Sequence, residues 1–168
     1  RGDGSVAIGD TAQSLQNGTI AIGDLTDATV VGAIAIGDVA QATADGAVSL
    51  GSGADANEDG AIAIGDTAEG SGIGAIGIGD FAEATASGSV GIGLGADSVG
   101  TSSVAIGSFS DATQLGAIAI GGDGGDSGAA GAAATGFSAI AVGVDAIASG
   151  SNALALGQQA VSTDLQAI

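Results

Sequence analysis

The sequence predicts an all-β solenoid, a parallel β-roll of stacked fourteen-residue coils. Three observations carry that prediction. A five-residue phrase, x-Φ-Ala-Φ-Gly with Φ aliphatic, begins at Ser5 and returns from Thr19, Ala33, Ala47, Ala61, Ala75, Ser89, Ser103 and Ala117. A second glycine closes most repeats, at Gly4, Gly18, Gly32, Gly46, Gly60, Gly74, Gly88 and Gly116. The composition, with 34 glycines and no Pro, Cys, Met, Trp, Tyr or His, leaves only small and aliphatic residues to build a core. At so short and fixed a period, each repeat is one coil whose apolar face is buried against the next.

Within the phrase the apolar residues alternate, so Val6 and Ile8 share one face while Ser5, Ala7 and Gly9 share the other. That period of two is the signature of a strand. A helix is excluded, because each interior glycine would cost about 1 kcal/mol. Both faces of this first strand are apolar or small, as in Ala33-Ile34-Ala35-Ile36, which marks a strand covered on two sides. One face lines the coil; the other either meets a partner or stays as an exposed stripe of small residues on a monomer. We assign Ala35, Ala63 and Ala105 to the interface between copies, and the Ile/Val ladders to the cohesion of the roll. In the second half of the repeat a polar residue lies between small ones, as in Ala40-Gln41-Ala42, Ala54-Asp55-Ala56 and Ala82-Glu83-Ala84. This second strand turns its small face inward and its acidic face to water. The closing glycines suit turns that need a positive φ or a close backbone approach.

Residues 1–168 read as one roll, with an inserted loop around 121–138, since the phrase due at 131 returns only at Ala139. Gly121-Gly122-Asp123-Gly124-Gly125-Asp126 matches the start of a calcium-binding nonapeptide. It occurs once, with Gly128 where an aliphatic residue belongs, and a protruding loop is the better reading. The sequence opens at the end of a repeat and stops on Ala167-Ile168, the first two positions of another, as an excerpt of a longer fibrous chain would. About eleven or twelve coils at the inter-strand spacing make a rod roughly 55 Å long.

Nineteen acids against the single base Arg1 give a net charge of −18. Phosphate binding needs Lys and Arg, so nucleic acid is excluded as a partner, and an anionic membrane surface would repel the chain. No apolar run approaches the ~18 residues of a spanning helix, so no membrane insertion is expected of this segment. Without His, Cys, Lys or Tyr, serine and threonine lack a base and zinc lacks its usual ligands; no enzymatic activity is expected. Asp10, Asp24, Asp38, Asp66 and Asp80 follow the repeat glycine and should stack about 4.8 Å apart. A second acidic row is Asp27, Asp55, Glu69, Glu83, Asp97 and Asp111. Two readings stand side by side: Ca²⁺ bridging adjacent rungs, with the first row as ligands, or a solvated acidic face. No other cofactor is expected. Arg1-Gly2-Asp3 spells an integrin-binding tripeptide, but its aspartate occupies the same turn as Asp45 and Asp59. Phe81 and Phe109 share one repeat position with Leu25 and Val39, a stripe suited to packing between coils or to contact with a neighbour.

Ser103-Val104-Ala105-Ile106-Gly107, Ser5-Val6-Ala7-Ile8-Gly9 and Ala61-Ile62-Ala63-Ile64-Gly65 resemble the head repeats of trimeric autotransporter adhesins of the YadA type. The family's asparagine before the phrase is mostly glycine here and is kept at Asn152. The resemblance implies a left-handed parallel β-roll, a homotrimer, and a place on the surface of a Gram-negative bacterium. It also implies attachment to host matrix, other surfaces or other cells through a repetitive lateral face. An extracellular filament or spacer, in a matrix or a phage fibre, would use the same roll without a receptor. An ice-binding solenoid would need a regular threonine ladder, and the threonines here are scattered.

Overall fold

The computed structural model describes residues 2–125 and 130–165. Every coil contributes one three-residue strand and one two-residue strand. Among the described residues these form two parallel sheets of eleven strands each. The first runs from Val6–Ile8 to Leu154–Leu156 and the second from Gln13–Ser14 to Val161–Ser162. Like positions stack on like: Val6 pairs with Ile20, which pairs with Ile34, and Glu69 pairs with Asp55 on one side and Glu83 on the other. Turns join the same ladder, with Gly37 N–H donating to Ile22 O at 2.8 Å and Val39 N–H to Asp24 O at 2.9 Å. Across the insertion the partner of Asp111 is Ala133 and that of Ile118 is Ile140. Gly131 N–H donates to Phe109 O and Ala132 N–H to Gly121 O, which returns the chain to the ladder. Asp126 and Gly128 of the calcium-like motif, Arg1 of the tripeptide and the terminal Ala167-Ile168 lie outside the described residues.

The interior is built from alanine. Ala21, Ala35, Ala63, Ala105 and Ala119 of the first sheet face Ala28, Ala42, Ala56, Ala112 and Ala134 of the second, all with no accessible surface. Ser and Thr fill the remaining inward positions and stay satisfied: Ser49 Oγ donates to Ala54 O at 2.6 Å, Thr26 Oγ1 to Gly37 O at 2.7 Å, and Ser98 and Ser103 share a 2.6 Å hydroxyl pair. Space is short enough that some positions hold only glycine. A Cβ at Gly70 would stand 2.7 Å from Ile62 O, and one at Gly77 would overlap Glu69 O. The two sheets therefore approach more closely than the ~10 Å usual for stacked sheets.

This geometry corrects the assignment of Ala35, Ala63 and Ala105 to an interface between copies. A side chain with no exposed surface in the single chain cannot touch another molecule, and all three are 0% exposed. The physical reason is volume: isoleucine does not fit between sheets this close, so the alanine row turns inward and the aliphatic rows turn out. Cohesion comes from inter-coil hydrogen bonds and methyl-to-methyl packing, with the outer aliphatics stacking only along their own rows.

Each coil turns twice through the left-handed region. At the second turn the residue is usually glycine, as at Gly60 with φ 66°. At the first it carries a side chain in most coils: Thr11, Leu25, Val39, Thr67, Phe81 and Phe109 all lie at φ between 50° and 58°, a conformation that costs such residues about 1–2 kcal/mol each. The phrase glycine is under a harder constraint. Gly65 has φ 139°, and a Cβ there would overlap Gly79 O of the next coil, whereas a Cβ at Gly60 would meet nothing within 4 Å. Gly65→Ala should therefore destabilise the roll by more than about 3 kcal/mol, and Gly60→Ala by only about 1 kcal/mol. Chemical denaturation of the two variants measures the difference; equal losses would contradict the stacking described.

Candidate interaction surfaces

Two outward faces differ in chemistry. On the first sheet, each rung presents its two Φ residues to the outside. In-register pairing joins them into two rows, one through Ile62, Ile76, Val90 and Val104 and one through Ile64, Ile78, Ile92 and Ile106. Neighbouring rungs cover their flanks, which leaves most of them half-buried, while Ile8 is 59% exposed. The result is a continuous aliphatic strip along all eleven rungs of that sheet, with no polar side chain inside it. Exposed aliphatic strips of this length are the kind of surface that marks contact sites in soluble proteins.

The opposite face belongs to the second sheet and is acidic in its central rungs. Asp55, Glu69, Glu83, Asp97 and Asp111 stand in direct register on five consecutive strands. Oδ1 of Asp55, Asp97 and Asp111 is buried and accepts no hydrogen bond, while Ser71 Oγ donates to Glu69 Oε1. Burial pushes the Asp55 carboxyl above its ordinary range, helped by the charge of Glu69. Glu83 is raised by burial and then by Asp97 and Glu69. Asp97 is raised by burial and then by Asp111, and Asp111 by burial. Toward the end of the roll the same row turns apolar, through Ala133, Ile147 and Val161.

Asp10, Asp24, Asp38, Asp66 and Asp80 are exposed at the turn after the phrase glycine. One role of such residues escaped the sequence reading: they accept hydrogen bonds from the preceding coil. Asp66 N–H donates to Asp80 Oδ1 at 3.1 Å, and in the other turn Asp45 N–H donates to Asp59 Oδ1 at 3.3 Å and Asp3 N–H to Asn17 Oδ1 at 2.9 Å. Among the described residues no three acidic side chains converge as a metal site requires. The tendency of Asp and Asn to bond to turn backbone was the signal that could have revealed this role. The first-turn stripe of Leu25, Val39, Phe81 and Phe109 lies exposed beside the aliphatic strip, and the Phe109 ring lies over Gly95 of the coil before, 2.9 Å from where a Cβ would stand.

The raised carboxyls set the sign of the pH response. The folded roll holds protons on Asp55, Glu83, Asp97 and Asp111 more tightly than the unfolded chain does. This contribution is therefore fully present below the unfolded values near 4 and is lost as pH rises through the folded values above them. Stability should increase on acidification from neutrality toward about pH 4, the reverse of ordinary acid denaturation. Asp97→Asn with Asp111→Asn should raise the melting temperature at pH 7 and flatten the profile. A melting temperature that falls as the pH is lowered over this range would contradict the ladder.

No curated protein matches the sequence. The family model described as YadA head domain repeat (2 copies) matches residues 1–26, 31–54, 42–68, 98–123 and 134–161. These segments span well over half of the chain and carry both faces of the roll, from the first coils to the last. The alanine-filled parallel solenoid, the phrase that builds it and this match agree: the chain belongs to the YadA head domain repeat family.

Proposed function

We propose that this chain is a segment of a cell-surface adhesin fibre in which three copies run parallel, with their aliphatic strips facing a common axis. The observation that carries this reading is the strip itself: two unbroken aliphatic rows on the outside of a roll whose interior is already full. Three strips meeting at an axis remove that surface from water and leave the acidic sheets facing out, where net charge −18 keeps the fibre soluble. Membership of the YadA head repeat family supports the left-handed trimeric roll, the extracellular location and the adhesive role. Attachment would come from the repeated lateral surface, on which many weak contacts add through multivalency.

Light scattering on the purified chain should give three times the chain mass, both in EDTA and with millimolar Ca²⁺. Ile64→Asp with Ile78→Asp should give one chain mass with the β circular dichroism retained. A wild-type monomer would contradict the assembly, and a trimer only with Ca²⁺ would make the turn aspartates metal ligands. Solid-phase binding to extracellular-matrix proteins separates an adhesin from a spacer; no binding to any matrix protein or cell surface would favour the spacer.

A further inference from the structure

The two turns of each coil share one backbone conformation but not one residue type. At the second turn the left-handed position is glycine in most coils, including Gly32, Gly46, Gly88 and Gly116 at φ 65–71°. At the first, the same conformation is forced on the apolar Leu25, Val39, Phe81 and Phe109, all exposed, Phe81 by 58%, and on the polar Thr11, Thr67, Asp145 and Gln159. Glycine fits that first turn as well, at Gly53 and Gly95. The coil therefore holds its own comparison: bulky apolar side chains occupy a position where the backbone prefers none, on one edge of the aliphatic strip only. On the other edge the left-handed position itself is mostly glycine. Beside its glycines stand exposed residues, apolar at Val31, Ile73 and Leu115 and polar at Asn17, Asp45, Asp59 and Ser87.

Area points the same way. Eleven rungs about 4.8 Å apart and a strand about 10 Å wide give a strip on the order of 500 Å². Stable contacts bury about 800 Å² per partner, and in a ring each strip is divided between two neighbours. The strip alone is too narrow, and the contact must extend onto the edges that flank it.

We propose that the side-chain edge of one copy packs against the glycine edge of the next. Leu25, Val39, Phe81 and Phe109 then rest in the open space over the corner glycines, against Val31, Ile73 and Leu115 where the neighbouring coil supplies them. The inference rests on the parallel trimer proposed above. In any cyclic assembly of parallel chains whose strips face the axis, the leading edge of one strip meets the trailing edge of its neighbour, a heterologous contact repeated around the ring. A Cβ at Gly46 or at Gly18 would meet nothing within 4 Å in its own chain, so that edge has room for a neighbour's side chain.

The test is the solution mass of the 168-residue chain on dilution. Asparagine tolerates the left-handed conformation, so Leu25→Asn, Val39→Asn, Phe81→Asn and Phe109→Asn combined should leave the β circular dichroism intact. The concentration at which the trimer dissociates should rise at least about tenfold, equivalent to about 2.8 kcal/mol per mole of trimer because its dissociation constant scales with the square of that concentration. Thr67→Asn, in the same conformation without a large apolar side chain, should leave that concentration unchanged. Should the combined variant fail to fold, Gly46→Asn with Gly88→Asn fills the opposite edge and should also promote dissociation. A variant that dissociates at the wild-type concentration, while Ile64→Asp with Ile78→Asp dissociates, would overturn the edge contact and leave the trimer standing. A wild-type chain that is monomeric at every concentration would overturn the trimer and the edge contact together.

Discussion

The closeness of the two sheets governs the rest of the molecule. Fourteen residues that must supply two turns leave strands of three and two residues, and the space between them admits a methyl or a hydroxymethyl group and little more. From this follow the small residues at every inward position, the hydroxyls that bond within their own or an adjacent coil, and the glycines at which even a methyl would overlap the opposite strand. The larger apolar residues must then lie outside. A core of ordinary proteins is turned inside out here, with its isoleucines on the surface and its alanines within.

That inversion gives the roll its functional character. An interior of methyl groups buries little area per residue, so each coil leans on backbone hydrogen bonds and on its neighbours. The outer aliphatic rows hold the apolar surface that the single chain leaves unburied, and in the proposed trimer association is where it contributes. The acidic sheet on the other side serves a different end. Its in-register carboxylates repel one another and lie partly out of water, and beyond Arg1, whose placement is not described, the chain carries no Lys or Arg to offset them. Such a face suits the solubility of the proposed fibre in a saline medium, where screening is strong.

Much of this was legible in the sequence. The phrase gave the strand, the closing glycine the turn, and the polar residue in Ala40-Gln41-Ala42 the outward face of the second strand, since only one of its sides is polar. The facing of the first strand was not legible from alternation, because in Ala33-Ile34-Ala35-Ile36 both sides are apolar. A signal was nevertheless present. The position of Ala35 becomes Ser49, Gly77 and Gly91 and never anything larger, while that of Ile36 becomes Leu50 and Val142. Strictly small residues mark the side where space is limiting, and that side is the interior. The left-handed first turn was hidden for another reason: Val39, Thr67 and Phe81 are residue types that ordinarily avoid it. The hydrogen bonds of Asp59 and Asp80 to the coil before depend on a stacking that no single repeat displays.

The central claim is that the aliphatic strip is turned toward other copies and the acidic sheet away from them. The chain has no cysteine, so a spin label can be placed at a single chosen site and distances between copies measured by pulsed dipolar spectroscopy. Labels at Ile78→Cys should lie close together around the axis, and labels at Glu83→Cys should lie clearly farther apart. Labels at Glu83→Cys lying closer than those at Ile78→Cys, or no dipolar coupling at either site, would contradict the account.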